Sequence, residues 1–171
     1  SNGENLKMLL IGAWIPFDDN TSDKYAQMVS TMSAMEPLIR DFGHNKPIAI
    51  IGDLNAAIGR GRRYDKALET LIKKCDLVDG LDLYDQEFDF SWSNGNNKAI
   101  LDHIIINHHL KTLVSNCKLH DSLWNMGDHL AICAEIDCKI STFTIEPCIV
   151  LPKHKFHKFD KMIFLLSKES I

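Results

Sequence analysis

Three apolar stretches are interrupted by residues that could do chemistry. PIAIIGDLNAA (47–57) is a run of branched apolar residues closed by Gly52, with Asp53 directly after it and Asn55 two positions on. ILDHIIIN (100–107) is apolar except at Asp102 and His103, and GDHLAI (127–132) opens with Asp128 and His129. A buried carboxylate is unfavourable unless it is paired. Taken singly, Asp53 reads as a turn former or cap, Asp128 as a turn residue after Gly127, and His129 as a core histidine bonded to a carbonyl. Asp102, placed mid-strand, does not read as a cap. Together the groups imply strand ends that converge on one polar site, where ligands of open α/β sheets usually lie.

Phosphodiester hydrolysis uses such a set. Asp53 would accept the proton of an attacking water, and Asn55 would donate to a non-bridging phosphate oxygen. Asp128 would hold a divalent cation. His129 would donate to the phosphoryl oxygen, with Asp102 fixing its tautomer and raising its pKa.

Elements of matching type surround these residues. LKMLLIGAWIP (6–16) reads as a buried strand closed by Pro16, and IAIIG (48–52) as a second. Between them Tyr25, Met28, Val29, Met32, Met35, Ile39 and Phe42 recur at helical spacing, with Pro37 expected to kink or split the helix and Gly43 to end it. DKALETLIKKC (65–75) is an amphipathic helix, and NGNN (94–97) a turn. The stretch 100–107 is a third strand, 113–124 contains an edge strand and 129–140 a last strand. Strands alternating with two helices indicate an α/β sandwich.

Composition narrows the class. The 171 residues suit one domain, over 1–140, followed by a tail over 141–171. Net charge is -4, but residues 151–171 hold five Lys against two acids, so the body is acidic and the tail basic. A chain built to coat nucleic acid would not look so. Five cysteines with no CxxC pair argue against a disulfide framework or zinc knuckle, and His103, His108, His109 and His120 match no zinc spacing. With no signal peptide and no apolar run near membrane-spanning length, an intracellular place, nuclear or cytoplasmic, is expected.

The ordered motifs resemble the second half of the endonuclease/exonuclease/phosphatase superfamily, which includes apurinic-site endonucleases and the endonuclease domains of non-LTR retrotransposons. AWIP (13–16) resembles its YxP motif, IIGDLNA its GDFN or GDLN motif, FSWSN (90–94) its TW motif, LDHIII its RIDYIL motif and GDHLAI its SDHxPI motif. The retrotransposon branch is nearest, because the spacing from GDLN to SW through a helix and Leu77 and Asp79 is similar. The resemblance implies half of a four-layer α/β sandwich, a mixed or mainly antiparallel sheet flanked by helices, with the first half of the fold absent. It implies a magnesium- or manganese-dependent DNA endonuclease, with RNA as an alternative partner. In that family pattern Asp53, Asn55, Asp102 and His129 are catalytic and Asp128 belongs to the metal. It places Trp14 and Trp92 beside the substrate.

Arg60, Arg62 and Arg63, directly after GDLNAAIG, suit phosphate contacts, with a solvated loop as the plain alternative. Gly127, His103 and Phe17 stand where the family usually has Ser, an aromatic and Asn. The family's metal-binding Glu has no counterpart, since Glu36, Glu69 and Glu87 lie in helical or loop contexts, so cation binding is expected to be weak. A sheet lacking its other half is expected to expose an apolar face for the missing half or for a second copy. The tail, with Phe156, Phe159 and Phe164 among lysines, suits single strands or docking on a partner domain. A non-catalytic relic that binds nucleic acid or protein is the alternative reading, and another phosphoesterase of the superfamily a third.

Overall fold

The computed structural model describes residues 7–121 and 127–137. The expected tail, the end of the 113–124 segment and the end of the last strand lie outside them. Among the described residues eight strands, three helices and a 3-10 turn follow in order: β1 (Leu9–Gly12), α1 (Ser22–Phe42), β2 (Ile48–Asp53), α2 (Arg63–Lys74), β3 (Leu77–Asp79), the 3-10 turn Leu81–Leu83, β4 (Trp92–Asn94), β5 (Asn97–Ala99), β6 (Asp102–Asn107), α3 (His108–Lys111), β7 (Val114–His120) and β8 (Ala131–Ile136).

The main sheet runs β1-β2-β6-β3 and is mixed: β1 is parallel to β2, while β6 is antiparallel to both β2 and β3. Its two faces follow from strand alternation. Leu9, Ile11, Ile48, Ile50, Leu77 and Ile105 pack on one side with Met28, Met32, Met35 and Ile39 of α1 and Leu68 and Leu71 of α2. Ala49, Ile51, Ile104 and Ile106 pack on the other with Val114, Cys117 and Leu119 of β7 and Ile132 of β8. The result is a helix layer, a sheet and a β7–β8 hairpin. Met8 and Leu10 of the β1 edge are exposed.

The helix α1 is capped by Thr21, whose hydroxyl oxygen accepts from the Lys24 N–H, and ends at Gly43, whose N–H donates to the Ile39 carbonyl. Pro37 does not split it; α1 continues for 21 residues. The buried face from Met28 to Ile39 spans the proline, and tertiary packing of that face outweighs one lost helical bond. A second expectation changes at Asp102. It is the first residue of β6, not a mid-strand one, and because β6 is antiparallel to β2 that start lies beside the end of β2. The NGNN turn closes the β4–β5 hairpin, with Gly95 at φ 65°.

Among the described residues no helix is long and apolar enough to cross a membrane.

Candidate active site

The last pair in the β2–β6 register is Asp53 opposite Asp102. Two acids facing each other across an antiparallel pair repel, so each must be supported. The chain does this in three steps.

The first is the turn after β2. Asn55 adopts a left-handed backbone, φ 48°, which Asn tolerates. Its N–H donates to Asp53 Oδ1 at 3.0 Å, and its side-chain Nδ2 donates to Asp53 Oδ2 at 3.0 Å and to the Ile15 carbonyl at 2.7 Å. Asp53 is thus both a turn former and a site residue. The two Nδ2 hydrogens, expected to face a phosphate, point instead to Asp53 and to the chain beyond β1, so Asn55 orients the carboxylate.

The second is the close approach of β1 to β2. The bonding continues past β1 as Ala13 N–H donates to the Ile51 carbonyl and Ile15 N–H to that of Asp53, both at 2.9 Å. Gly52 permits it: with φ at 144°, a Cβ there would lie 1.9 Å from the Ala13 carbonyl oxygen. Trp14, 55% exposed, lies in the chain between these two bonds, level with the end of β2.

The third is the support of Asp102. The buried Ser91 hydroxyl donates to Asp102 Oδ2 at 2.8 Å and accepts from the N–H groups of Leu101 (2.8 Å) and Asp102 (2.9 Å). One hydrogen and two lone pairs are all used. His129 Nδ1–H also donates to Asp102 Oδ2, at 2.8 Å. The segment carrying His129 is aligned by β4, for Ser93 N–H donates to the Asp128 carbonyl, Leu130 N–H to that of Ser91, and Trp92 bridges His129. Trp92 Nε1–H donates to Asp128 Oδ2 at 2.9 Å, so Trp92 orients the exposed Asp128.

Electrostatics follow from these contacts. Burial, then the negative charge of Asp102, push Asp53 up to about 6, against the opposing bond from Asn55 and the charges of His129 and His103. The hydrogen bond and charge of Asp102 raise His129 in spite of burial. Both shifts run the same way, so Asp53 and His129 each hold a proton more firmly than the free side chain does.

The arginines divide. Arg60 forks the fully buried Asp65, donating from Nε at 3.0 Å and Nη2 at 2.8 Å; Asp65 also accepts from the N–H groups of Ala57 and Arg62. Arg63 bonds Asp18 and the Thr21 carbonyl and lies over the Tyr25 and Tyr64 rings. Both guanidinium groups hold the scaffold. Arg62, with Arg60, lines a polar hollow with Trp92, Asn96, Asn97 and Lys98.

Reading the sequence singled out Asp53, Asn55, Asp102, Asp128, His129 and Trp92, and the fold gathers them at one edge. It passed over Ser91 and Asp65, although each is a buried polar residue in a short motif already noticed, FSWSN or the start of an amphipathic helix.

A divalent cation does not fit this set alone. Among the described residues no group of three or more His, Cys, Asp or Glu could hold a metal ion. Asp128, the expected ligand, already accepts from Trp92. Hard cations take six or more oxygen ligands.

No protein-family model matches the chain, and no curated sequence matches it. Solved structures do. A 3′ phosphatase, NExo, from Neisseria, bound to product DNA hairpin, aligns with TM-score 0.63 at 15% identity over 75% of this chain and 61% of its own. An AP endonuclease from Archaeoglobus fulgidus aligns with TM-score 0.63 at 15% identity over 77% and 62%. The endonuclease domain of TRAS1, a telomere-specific non-LTR retrotransposon, aligns with TM-score 0.53 at 15% identity over 64% and 52%. The chain spans about three fifths of the first two structures.

Proposed function

We propose that this chain, which has the fold of the endonuclease/exonuclease/phosphatase superfamily, carries the water-activating part of a DNA phosphodiesterase of the retrotransposon nicking type. One observation carries the reading. Asp53 faces the Asp102–His129 pair across a strand end, with a base near neutrality on one side and a proton donor on the other. The similarity to nucleases, one from a retrotransposon, supports the choice of DNA.

In this reading Asp53 accepts a proton from water as the water oxygen bonds to phosphorus. The ester P–O bond breaks, and the departing sugar oxygen takes a proton from solvent. His129 Nε2–H donates to a phosphoryl oxygen as charge builds there, and Asp102 holds the ring and stabilises the imidazolium. Asn55 and Ser91 hold the two carboxylates. Trp14, Trp92, Arg62 and Lys98 are the proposed contacts to the sugar-phosphate chain. The superfamily resemblance implies magnesium or manganese, which supplies a positive charge to the phosphate when bound. The described residues do not gather its ligands, so the steps above use this chain's own groups alone.

A second reading has its own support. The lack of a gathered ligand set among the described residues favours a chain that binds nucleic acid or protein without cutting. The exposed Met8 and Leu10 suit the covering partner it would need, a further stretch of chain or a second copy.

One experiment separates the two. Purified protein is incubated with supercoiled plasmid and magnesium, alone and as Asp53→Ala and His129→Ala. Nicking lost in both variants supports the catalytic reading. Nicking that survives either removes that residue from the mechanism. Retarded but uncut DNA with the unaltered protein supports the second reading.

A further inference from the structure

Behind the site lies a second His–Asp pair that the mechanism above does not use. His103 is 1% exposed and stands opposite Gly52 in the β2–β6 register, one step inward from the Asp53–Asp102 pair. Its Nδ1 lies 2.6 Å from Asp79 Oδ2, and its Nε2 lies 2.8 Å from the carbonyl oxygen of Ala56. A carbonyl oxygen only accepts, so Nε2 carries a hydrogen and donates it. A single proton then lies between Nδ1 and Asp79. Burial opposes charge on the ring, yet the bond to Asp79 and its charge prevail and raise His103.

Asp79 is held for this contact. It is 4% exposed, at the end of β3, and its Oδ1 accepts from Leu81 N–H at 3.1 Å. Gly80 lets β3 and β6 lie this close, because a Cβ there would meet the Ile104 carbonyl oxygen at 3.0 Å and Cys117 Sγ at 3.1 Å. Ala56 belongs to the turn that presents Asp53 and Asn55. The ring therefore spans from the end of β3 to the turn bearing Asp53.

We propose that His103, held by Asp79, is a positioning residue for the Asp53–Asn55 turn, fixing its backbone through Ala56 and setting a protonatable ring behind the Asp53 carboxylate. The inference rests on the phosphodiesterase reading for its meaning, since it concerns how the base of that reaction is set. Charged and titratable groups around the ring are Asp79 from β3, Asp102 from its own strand, Asp53 from β2 and Asp82 from the 3-10 turn. The acids outnumber the one ring, so its loss leaves Asp53 among negative charges.

The test follows the Asp53 carboxyl by 13C NMR against pH in the full chain, with amide exchange at Asn55 and Ala57. It compares the unaltered protein with His103→Gln, and with His103→Gln combined with Asp79→Asn. The double variant is chosen because the glutamine amide can still donate to Ala56 while no unpaired acid is buried. Leu68→Ala, in the core away from the site, controls for plain loss of stability. Expected in both His103→Gln proteins is an upward shift of the Asp53 titration by roughly half a unit to one unit, which Leu68→Ala does not produce. Faster exchange at Ala57 is expected in a His103→Leu variant, which cannot bond Ala56, and recovery toward normal in His103→Gln. A folded double variant with Asp53 titrating where it did before overturns the charge role. Unchanged exchange in His103→Leu overturns the positioning role. Both readouts are independent of DNA cleavage, so an inactive chain sinks the phosphodiesterase reading without touching these results.

Discussion

At Asp53, one residue serves two requirements that conflict. As a turn former it must sit at the strand end with both oxygens bonded to Asn55; as a base it must be partly desolvated and close to another acid. The conflict is visible in its raised pKa of about 6 against 3.8. The folded protein keeps the Asp53 proton up to about pH 6, whereas the unfolded chain releases it near 3.8. Between those values the folded state binds more protons, so this residue makes stability fall as pH rises and lowers it by about 3 kcal/mol at neutrality. Asp53→Asn removes that penalty, less a part because its NH2 group faces Asn55 Nδ2. Denaturant titrations at pH 4 and pH 8 are expected to show the variant gaining about 2 kcal/mol on the unaltered protein between the two. Equal pH dependence in both proteins would mean that the carboxylate is not held as described. His129 moves stability in the same direction, over a range that begins at its ordinary 6.5. Its raised value contributes stability that is fully present below 6.5 and fades as pH rises through the folded value, so its loss follows that of Asp53 along the pH axis.

At the scale of elements, the site depends on how closely two parallel strands can approach. Gly52 and Gly12 make a matched pair for testing this. Both lie where β1 and β2 run side by side, but only Gly52 lies under a carbonyl, with 1.9 Å left for a Cβ and φ at 144°. Nothing lies within 4 Å of a Cβ at Gly12. Gly52→Ala must break the Ala13–Ile51 bond or twist the strand end, and is expected to destabilise by about 3 kcal/mol or more, with loss of any activity. Gly12→Ala is expected within about 1 kcal/mol of the unaltered protein. Similar midpoints for the two variants in chemical denaturation would refute the close approach. The same elements show what the sequence reveals. Branched runs ended by an acid, an apolar helix face every three or four residues, and an NGNN turn are local signals, and the strands, helices and hairpin they indicate are present. Asp53, Asp102 and His129 were legible for the same reason, since each breaks an apolar run. Ser91, Asp65 and the His103–Asp79 pair were not, because each is defined by a partner between 3 and 24 positions away that only the fold supplies. Pro37 does not split the helix, because the helix is held by the sheet beneath it and not by its own propensity.

At the scale of the whole molecule, the proposed metal-assisted reaction must be reconciled with an acidic chain. The net charge of -4 repels DNA, while the carboxylates at the site edge attract cations without surrounding them. Magnesium keeps several of its waters and is often held by one or two carboxylates together with substrate phosphates. Asp128, already bonded to Trp92, offers at most a partial ligand set. Calorimetry of the full chain with magnesium alone is therefore expected to show no saturable site at submillimolar concentration. Adding a short duplex should lower the concentration at which magnesium binds, because phosphate oxygens complete the coordination, and Asp128→Asn should abolish that gain. A single tight site in the absence of DNA would place a complete ligand set outside the described residues, and the deficit would vanish. A gain that persists in Asp128→Asn would assign the cation to the phosphates alone and leave Asp128 as an anchor for Trp92.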